Sequence, residues 1–169
     1  MGALIVDAVR TPRGRGNDKG ALKDVKPVDL LARAFRGISE RNRIDTETVV
    51  DAVIGCVTQT ADQGGNIGKM AALAAGWNDR VSGVTINRYC ASGLSAVGFA
   101  ALQAQAQDSL AVGGGVEMMS RVPMASDKSP LTHDFDFQKA AHLLPIGISA
   151  DAVATLEGFD RTACDAYAV

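Results

Sequence analysis

The stretch VSGVTINRYCASGLSAVGFAALQAQAQDSLAVGGG, residues 81–115, decides the fold. Val81 to Tyr89 sets Val81, Val84 and Ile86 among smaller or polar neighbours and reads as a strand. Ala91 to Gln107 reads as a helix. Leu94, Val97, Ala101 and Leu102 share one face, and the small residues Gly93, Ala96, Ala100 and Ala104 allow close packing. Leu110-Ala111-Val112 opens another strand, which runs into Gly113-Gly114-Gly115. A strand, a crossover helix and a strand make a βαβ unit, so the two strands are expected to be parallel.

The same alternation continues toward the N-terminus. Ala52 to Val57 is an unbroken apolar run suited to a buried strand, and Ile67 to Ala75 is an Ala-rich helix ending at Gly76. Pro27 suits the first turn of a helix carrying Leu30, Leu31, Ala34, Phe35 and Ile38 as far as about Arg43, and Asp45 suits the cap of a short turn. Ala3 to Val9 reads as a further buried strand, stopped at Arg10-Thr11-Pro12. The expected class is therefore α/β, with a mixed, mostly parallel sheet covered by helices and its functional edge at the C-terminal ends of the strands.

Past Glu117 the pattern changes. Met118 to Gln138 carries Pro123 and Pro130 with little periodicity and reads as loop. A helix is expected from about Ser149 to Glu157, ended by Gly158, then another from Arg161 to Val169 capped by Asp160. The division expected is 1–117 for the α/β domain and 118–169 for the start of a second, loop-rich domain. The last helix has no C-cap, so truncation is expected.

Of 169 residues, 47% are apolar and 21% charged, with net charge −2. That balance lacks the basic footprint of a nucleic-acid binder, and none is expected as partner. No apolar run reaches the ~18 residues of a membrane span, and Ala3 to Val6, followed at once by Asp7 and Arg10, is too short for a signal-peptide core. The cysteines Cys56, Cys90 and Cys164 are odd in number and widely spaced, which points to a reducing, cytoplasmic setting rather than a disulfide framework or zinc site. No metal is expected: Asp127, Asp134 and Asp136 lack ligand spacing and read as solvated loop residues.

Cys90 is the candidate catalytic residue. In Asn87-Arg88-Tyr89-Cys90-Ala91-Ser92-Gly93-Leu94 it falls where a strand ends and a helix begins. Unpaired N–H groups and the positive end of the helix dipole meet there and favour a thiolate, the nucleophilic form. The competing reading is a buried small hydrophobe. Cys56 and Cys164 read as packing residues, and His133 and His142 as solvated loop residues. Gly113-Gly114-Gly115 reads as a close backbone crossing rather than a phosphate loop, and Asp108-Ser109-Leu110 as a helix-to-strand turn rather than a phosphopantetheine attachment site.

Asn87 to Ala96 resembles the active-site cysteine segment of the thiolases, the acetyl-CoA acyltransferases. Arg10-Thr11-Pro12-Arg13-Gly14 is similar to that family's opening motif. Gly65-Asn66 with Lys69 resembles its Gly-Gln-Asn-x-x-Arg stretch, with Lys69 where Arg is usual. Gly114 to Ser120 is similar to Gly-Gly-x-Glu-x-Met-Ser, and Pro145 to Asp151 resembles the Pro-Met-Gly-Ile-Thr-x-Glu of the loop domain. Asp160-Arg161 and Asp165-Ala166-Tyr167-Ala168 match the helix after it.

The resemblance implies the first half of a five-layered αβαβα fold plus the start of the loop domain that holds coenzyme A. It implies that Cys90 carries an acyl-thioester. Acyl-CoA and CoA would be the substrates, no cofactor would be resident, and the intact enzyme would be a homo-oligomer, dimer or tetramer. The reaction implied is thiolytic cleavage of a 3-ketoacyl-CoA to acetyl-CoA and a shortened acyl-CoA, or the reverse Claisen condensation. Pro145-Ile146-Gly147, where acetoacetyl-CoA thiolases carry His-Met-Gly, is more like the degradative, β-oxidation type. The family's Asn-Glu-Ala-Phe, Gly-His-Pro and Cys-x-Gly-Gly segments do not occur in these 169 residues. The alternative expectation is a catalytically inactive fragment that works through association with another subunit.

Overall fold

The strand β1 (Val49–Gly55) is buried along nearly its whole length, and this makes it the middle of the sheet. In the computed structural model, which describes residues 2–169, β1 pairs with β2 (Ser82–Ile86) on one side and β3 (Leu110–Gly115) on the other, both parallel. Ile54 lies opposite Thr85 and Gly114, and Gly55 opposite Ile86 and Gly115. Being covered on both faces, β1 is an almost continuous apolar run instead of an alternating one.

Successive β1 side chains feed two cores. Ala52 and Ile54, with Cys56 just beyond the strand, meet α1 (Pro27–Asn42) and α2 (Ile67–Ala74) around Leu31, Phe35, Ile67, Ala71 and Trp77. Val53 faces α3 (Ser92–Gln107) and packs on Ala96 and Ala100. Asp51 points the same way. Gln103 Nε2 donates to its Oδ2 at 3.3 Å, while Oδ1 is buried without a partner among the described residues, and burial holds this carboxyl above the usual range.

The helices sit at backbone distance from the sheet where glycines permit it. A Cβ on Gly55 would lie 2.5 Å from Ser92 C in α3, and one on Gly113 2.6 Å from Val97 Cα. On the opposite face, a Cβ on Gly68 would lie 2.8 Å from Ala52 O. The small face of α3 therefore meets the sheet, and Leu94 and Leu102 on its other side are exposed.

α1 opens with Pro27 and closes on Arg43 in the left-handed region (φ 52°). Asp45 caps a 3₁₀ turn by accepting from Glu47 N–H, and Asn66 caps α2 by accepting from Lys69 N–H. Trp77 stacks on Phe35 at 4.6 Å, and its indole N–H donates to Ser39 Oγ.

Residues 3–9 correct the sequence reading: they form no strand, and Leu4, Ile5 and Val6 are exposed. The anchorage of this segment is polar. Arg41 Nε and Asn42 Nδ2 donate to Asp7 and hold its carboxyl at about 2, well below the usual range. A short apolar run signals β propensity without supplying the neighbour that would bury it.

The chain divides into two compact units, residues 1–127 and 128–169. The first includes residues 118–127, where Met118 and Val122 are buried. The second contains α4 (Pro130–His133), α5 (Phe135–Ala140), α6 (Ile146–Glu157) and α7 (Arg161–Ala168). The loop read through Gln138 is thus partly helical. Pro130 opens α4 because a proline ring is preorganised for a first helical position. Gly158 (φ 73°) ends α6, and Asp160 caps α7 by accepting from Ala163 N–H, as the sequence indicates. Among the described residues no helix is long and apolar enough to cross a membrane.

Candidate active site

Three parallel strands bring three C-terminal ends to one edge: Gly55-Cys56-Val57, Ile86-Asn87 and Gly115-Val116-Glu117. Cys90 lies at this edge in the turn from β2 to α3, and its side chain is exposed. The turn is tied at every step. Asn87 Oδ1 accepts Tyr89 N–H at 2.8 Å, and Ser92 Oγ accepts Arg88 N–H at 2.8 Å. The Ser92 hydroxyl donates to Tyr89 O at 2.6 Å, and Ala91 N–H donates to Arg88 O at 3.0 Å. Tyr89, just before the thiol, is left-handed with φ 48°, a conformation that is uphill for a residue with a Cβ. Arg88 folds back along α3, with its Cζ 5.7 Å from the Phe99 ring centroid and Nη1 donating to Ser95 Oγ.

A second cluster braces the same edge. Glu117, just past β3, accepts Val57 N–H at 2.7 Å, Thr58 N–H at 3.3 Å and Gln63 Nε2 at 2.7 Å. Gln63, fully buried, also donates to Thr58 O, and its Oε1 accepts Met118 N–H. Cys56 lies beneath this cluster. Burial, and then the Glu117 charge, push its thiol up to about 12, which leaves it an inert, packed side chain as expected. The two clusters meet at Val57, whose carbonyl accepts Asn87 Nδ2 at 3.2 Å.

Arg10 to Gly16 line one side of a cleft of about 700 Å³, and Gly93, Leu94 and Gly114 to Ser120 line the other. The motif glycines Gly114 and Gly115 belong to β3 itself, and a Cβ on Gly115 would approach Gly55 O to 3.2 Å, the close crossing expected. Lys69 spans from α2 to the carbonyls of Asp79 and Val81, both at 2.6 Å. Asp108 closes α3 in the left-handed region, so Asp108-Ser109-Leu110 is a helix-to-strand turn.

His133 and His142 lie in the second unit, both exposed; His133 Nδ1 is 2.8 Å from Thr132 Oγ1. Cys164 is also there, exposed on α7, so its reading as a packing residue is corrected: none of the residues of α7 is buried. Sequence reasoning did not single out Gln63 or the bridging role of Asn87. Gln63 sits in a polar stretch that reads as loop, and two of its three partners are 54 and 55 residues away.

Residues 3–169 match the family described as "Thiolase, N-terminal domain". A 3-oxoadipyl-CoA/3-oxo-5,6-dehydrosuberyl-CoA thiolase of Escherichia coli (strain K12) is 46% identical over 129 residues, covering 75% of this chain and 32% of that protein. A 3-ketoacyl-CoA thiolase of Pseudoalteromonas translucida is 37% identical over 174 residues, covering 98% of this chain and 42% of that one. The crystal structure of the Bacillus anthracis acetyl-CoA acetyltransferase superposes with TM-score 0.57 at 41% identity, over 62% of this chain and 26% of that one. The chain therefore spans well under half the length of these relatives. The match over nearly every residue, together with the parallel sheet flanked by helices, shows that the chain belongs to the thiolase family.

Proposed function

We propose that this chain carries the acyl-accepting cysteine of a thiolase-type acyltransferase, with Cys90 as the nucleophile. The observation that carries this reading is the position of Cys90: an exposed thiol at the C-terminal edge of a parallel sheet, two residues before the start of α3, inside the family's cysteine segment. Ligands of open α/β sheets bind at that edge.

In the reaction proposed, the Cys90 thiolate attacks the 3-keto carbon of a 3-ketoacyl-CoA. The C2–C3 bond breaks, its electron pair passes to C2, and C2 takes a proton to leave acetyl-CoA. The acyl group remains on Cys90 as a thioester. The thiolate of a second CoA then attacks that carbonyl, forms the shortened acyl-CoA and releases Cys90. The condensation direction reverses these steps. The three free thiols support a reducing, cytoplasmic setting.

A second reading is a fragment inactive alone that works through association with another subunit. The apolar residues exposed on α3, Leu94, Phe99 and Leu102, support it, as does an apolar cleft of about 450 Å³ between Phe99, Leu102, Val84 and Ile86. One experiment separates the two: incubation of the folded chain with a 3-ketoacyl-CoA, followed by intact-mass measurement. An acyl adduct present in the wild type and lost in Cys90→Ser is expected. Its absence on demonstrably folded protein would favour the second reading.

A further inference from the structure

The residue that couples the sheet to the cysteine turn is Asn87. Its Oδ1 accepts Tyr89 N–H, closing a local side-chain turn around the residue that must be left-handed for Cys90 to leave the strand. Its Nδ2 donates to Val57 O, beyond the end of β1. Val57 N–H donates in turn to Glu117, beyond the end of β3. Among the described residues, Asn87 is thus the one side chain that bonds both the Tyr89 backbone and the Val57 carbonyl, and Glu117 fixes the far end of the chain of bonds. The pairing needs an amide: the acceptor atom serves the turn and the donor atom serves the strand end. Aspartate keeps only the acceptor, and alanine keeps neither.

We propose that Asn87 is a positioning residue for Cys90, holding the β2–α3 turn in the conformation that presents the thiol, with Glu117 as its anchor across the sheet edge. The inference rests on the reading of Cys90 as nucleophile for its functional meaning. Its geometric content, that Asn87 holds the turn, stands apart and is tested apart. Ser92 fastens the same turn from the helix side, so loss of Asn87 should loosen the turn without unfolding α3.

The test is amide hydrogen exchange by NMR on the 169-residue chain, read at Ala91 and Ser92. Their N–H groups donate to Arg88 O and Tyr89 O within the turn. In Asn87→Ala, which removes both side-chain hydrogen bonds, the two are expected to exchange about tenfold faster or more, on the order of what the loss of hydrogen bonds does to a local equilibrium. Ala52, Val53 and Ile54 in β1 should keep their wild-type rates. Asn87→Asp, which retains the acceptor for Tyr89 N–H and loses the donor to Val57 O, should fall between the wild type and Asn87→Ala. Equal loss in both variants, or loss in neither, overturns the proposal. Should Asn87→Ala fail to fold, the wild type decides: slowed exchange of the Asn87 side-chain amide supports the bond to Val57 O, and free exchange there overturns it.

Acyl transfer is scored in parallel as adduct on Cys90 relative to Cys164. No adduct in the wild type overturns acyl transfer to Cys90 in this chain alone and leaves the exchange result to judge the turn. Adduct formation that is equal in wild type and Asn87→Ala refutes positioning and leaves the nucleophile in place.

Discussion

Gly55→Ala should destabilise the protein by displacing the helix that follows Cys90. Gly55 ends β1 beneath the start of α3. A Cβ there would sit 2.5 Å from Ser92 C, 2.6 Å from Gly93 N and 2.7 Å from Ser92 O. All three are backbone atoms of the first turn of α3, so no side-chain rotation relieves the overlap. Moving from 2.5 Å to the 3.4 Å of ordinary contact requires that turn to retreat by about 0.9 Å. Overpacking of a close-packed interior costs about 1–3 kcal/mol, and contact with backbone puts this site toward ~3 kcal/mol. At about 2–4 °C per kcal/mol the expected fall in melting temperature is roughly 6–12 °C. The assay is a thermal melt followed by far-ultraviolet circular dichroism, with Gly98→Ala beside it. Gly98 is inside α3, and its Cβ would meet nothing within 4 Å. That substitution should therefore stabilise by about 0.4–1 kcal/mol, through a less flexible unfolded chain. If Gly55→Ala melts at or above the wild type, α3 is not seated on β1 at backbone distance and the account of the site's placement fails.

Two further outcomes follow from buried groups. Ser39→Ala leaves the indole N–H of Trp77 without its acceptor against the Phe35 ring. A loss of about 1–3 kcal/mol is expected in a denaturant titration read by the fluorescence of this sole tryptophan, and a loss under ~0.5 kcal/mol would show the N–H satisfied elsewhere. Cys56 should make the fold sensitive to alkali. Its thiol titrates at about 12 when folded against 9.0 for an ordinary thiol, so between those values the unfolded chain releases a proton that the folded chain keeps. Stability from this group is full below pH 9.0, falls as pH rises toward about 12, and the slope should vanish in Cys56→Ala. An unchanged slope would place the alkaline sensitivity on other groups.

What the sequence reveals depends on the range of the interaction. The alternation of strands and helices is legible because each element carries its own signature: the apolar run of β1, the proline and glycine that bound its neighbours, and the small face of α3. Residues 3–9 carry the same apolar signature as β1 and form no strand, because a strand is completed by its neighbours and not by its own composition. The cysteine turn is legible for the same local reason: a thiol, then Ala91, Ser92 and Gly93, at a strand-to-helix boundary. The Glu117–Gln63–Val57 brace is not legible. Its partners are 54 to 60 residues apart and sit in segments whose polarity reads as loop. Nothing in a single sequence marks which buried glutamine will meet which carboxylate.

The thiol's position is set as much by residues distant in sequence as by its own segment. Gly55 has no side chain where α3 begins, Gly113 has none where Val97 crosses, and both therefore fix the height of the helix above the sheet. Val57, held by Glu117, fixes the other end of the turn through Asn87. A helix seated by glycines and a strand end held by a carboxylate bracket the left-handed Tyr89 from two sides. A cysteine motif transplanted without Gly55, Gly113 and Glu117 would keep the thiol and lose its placement.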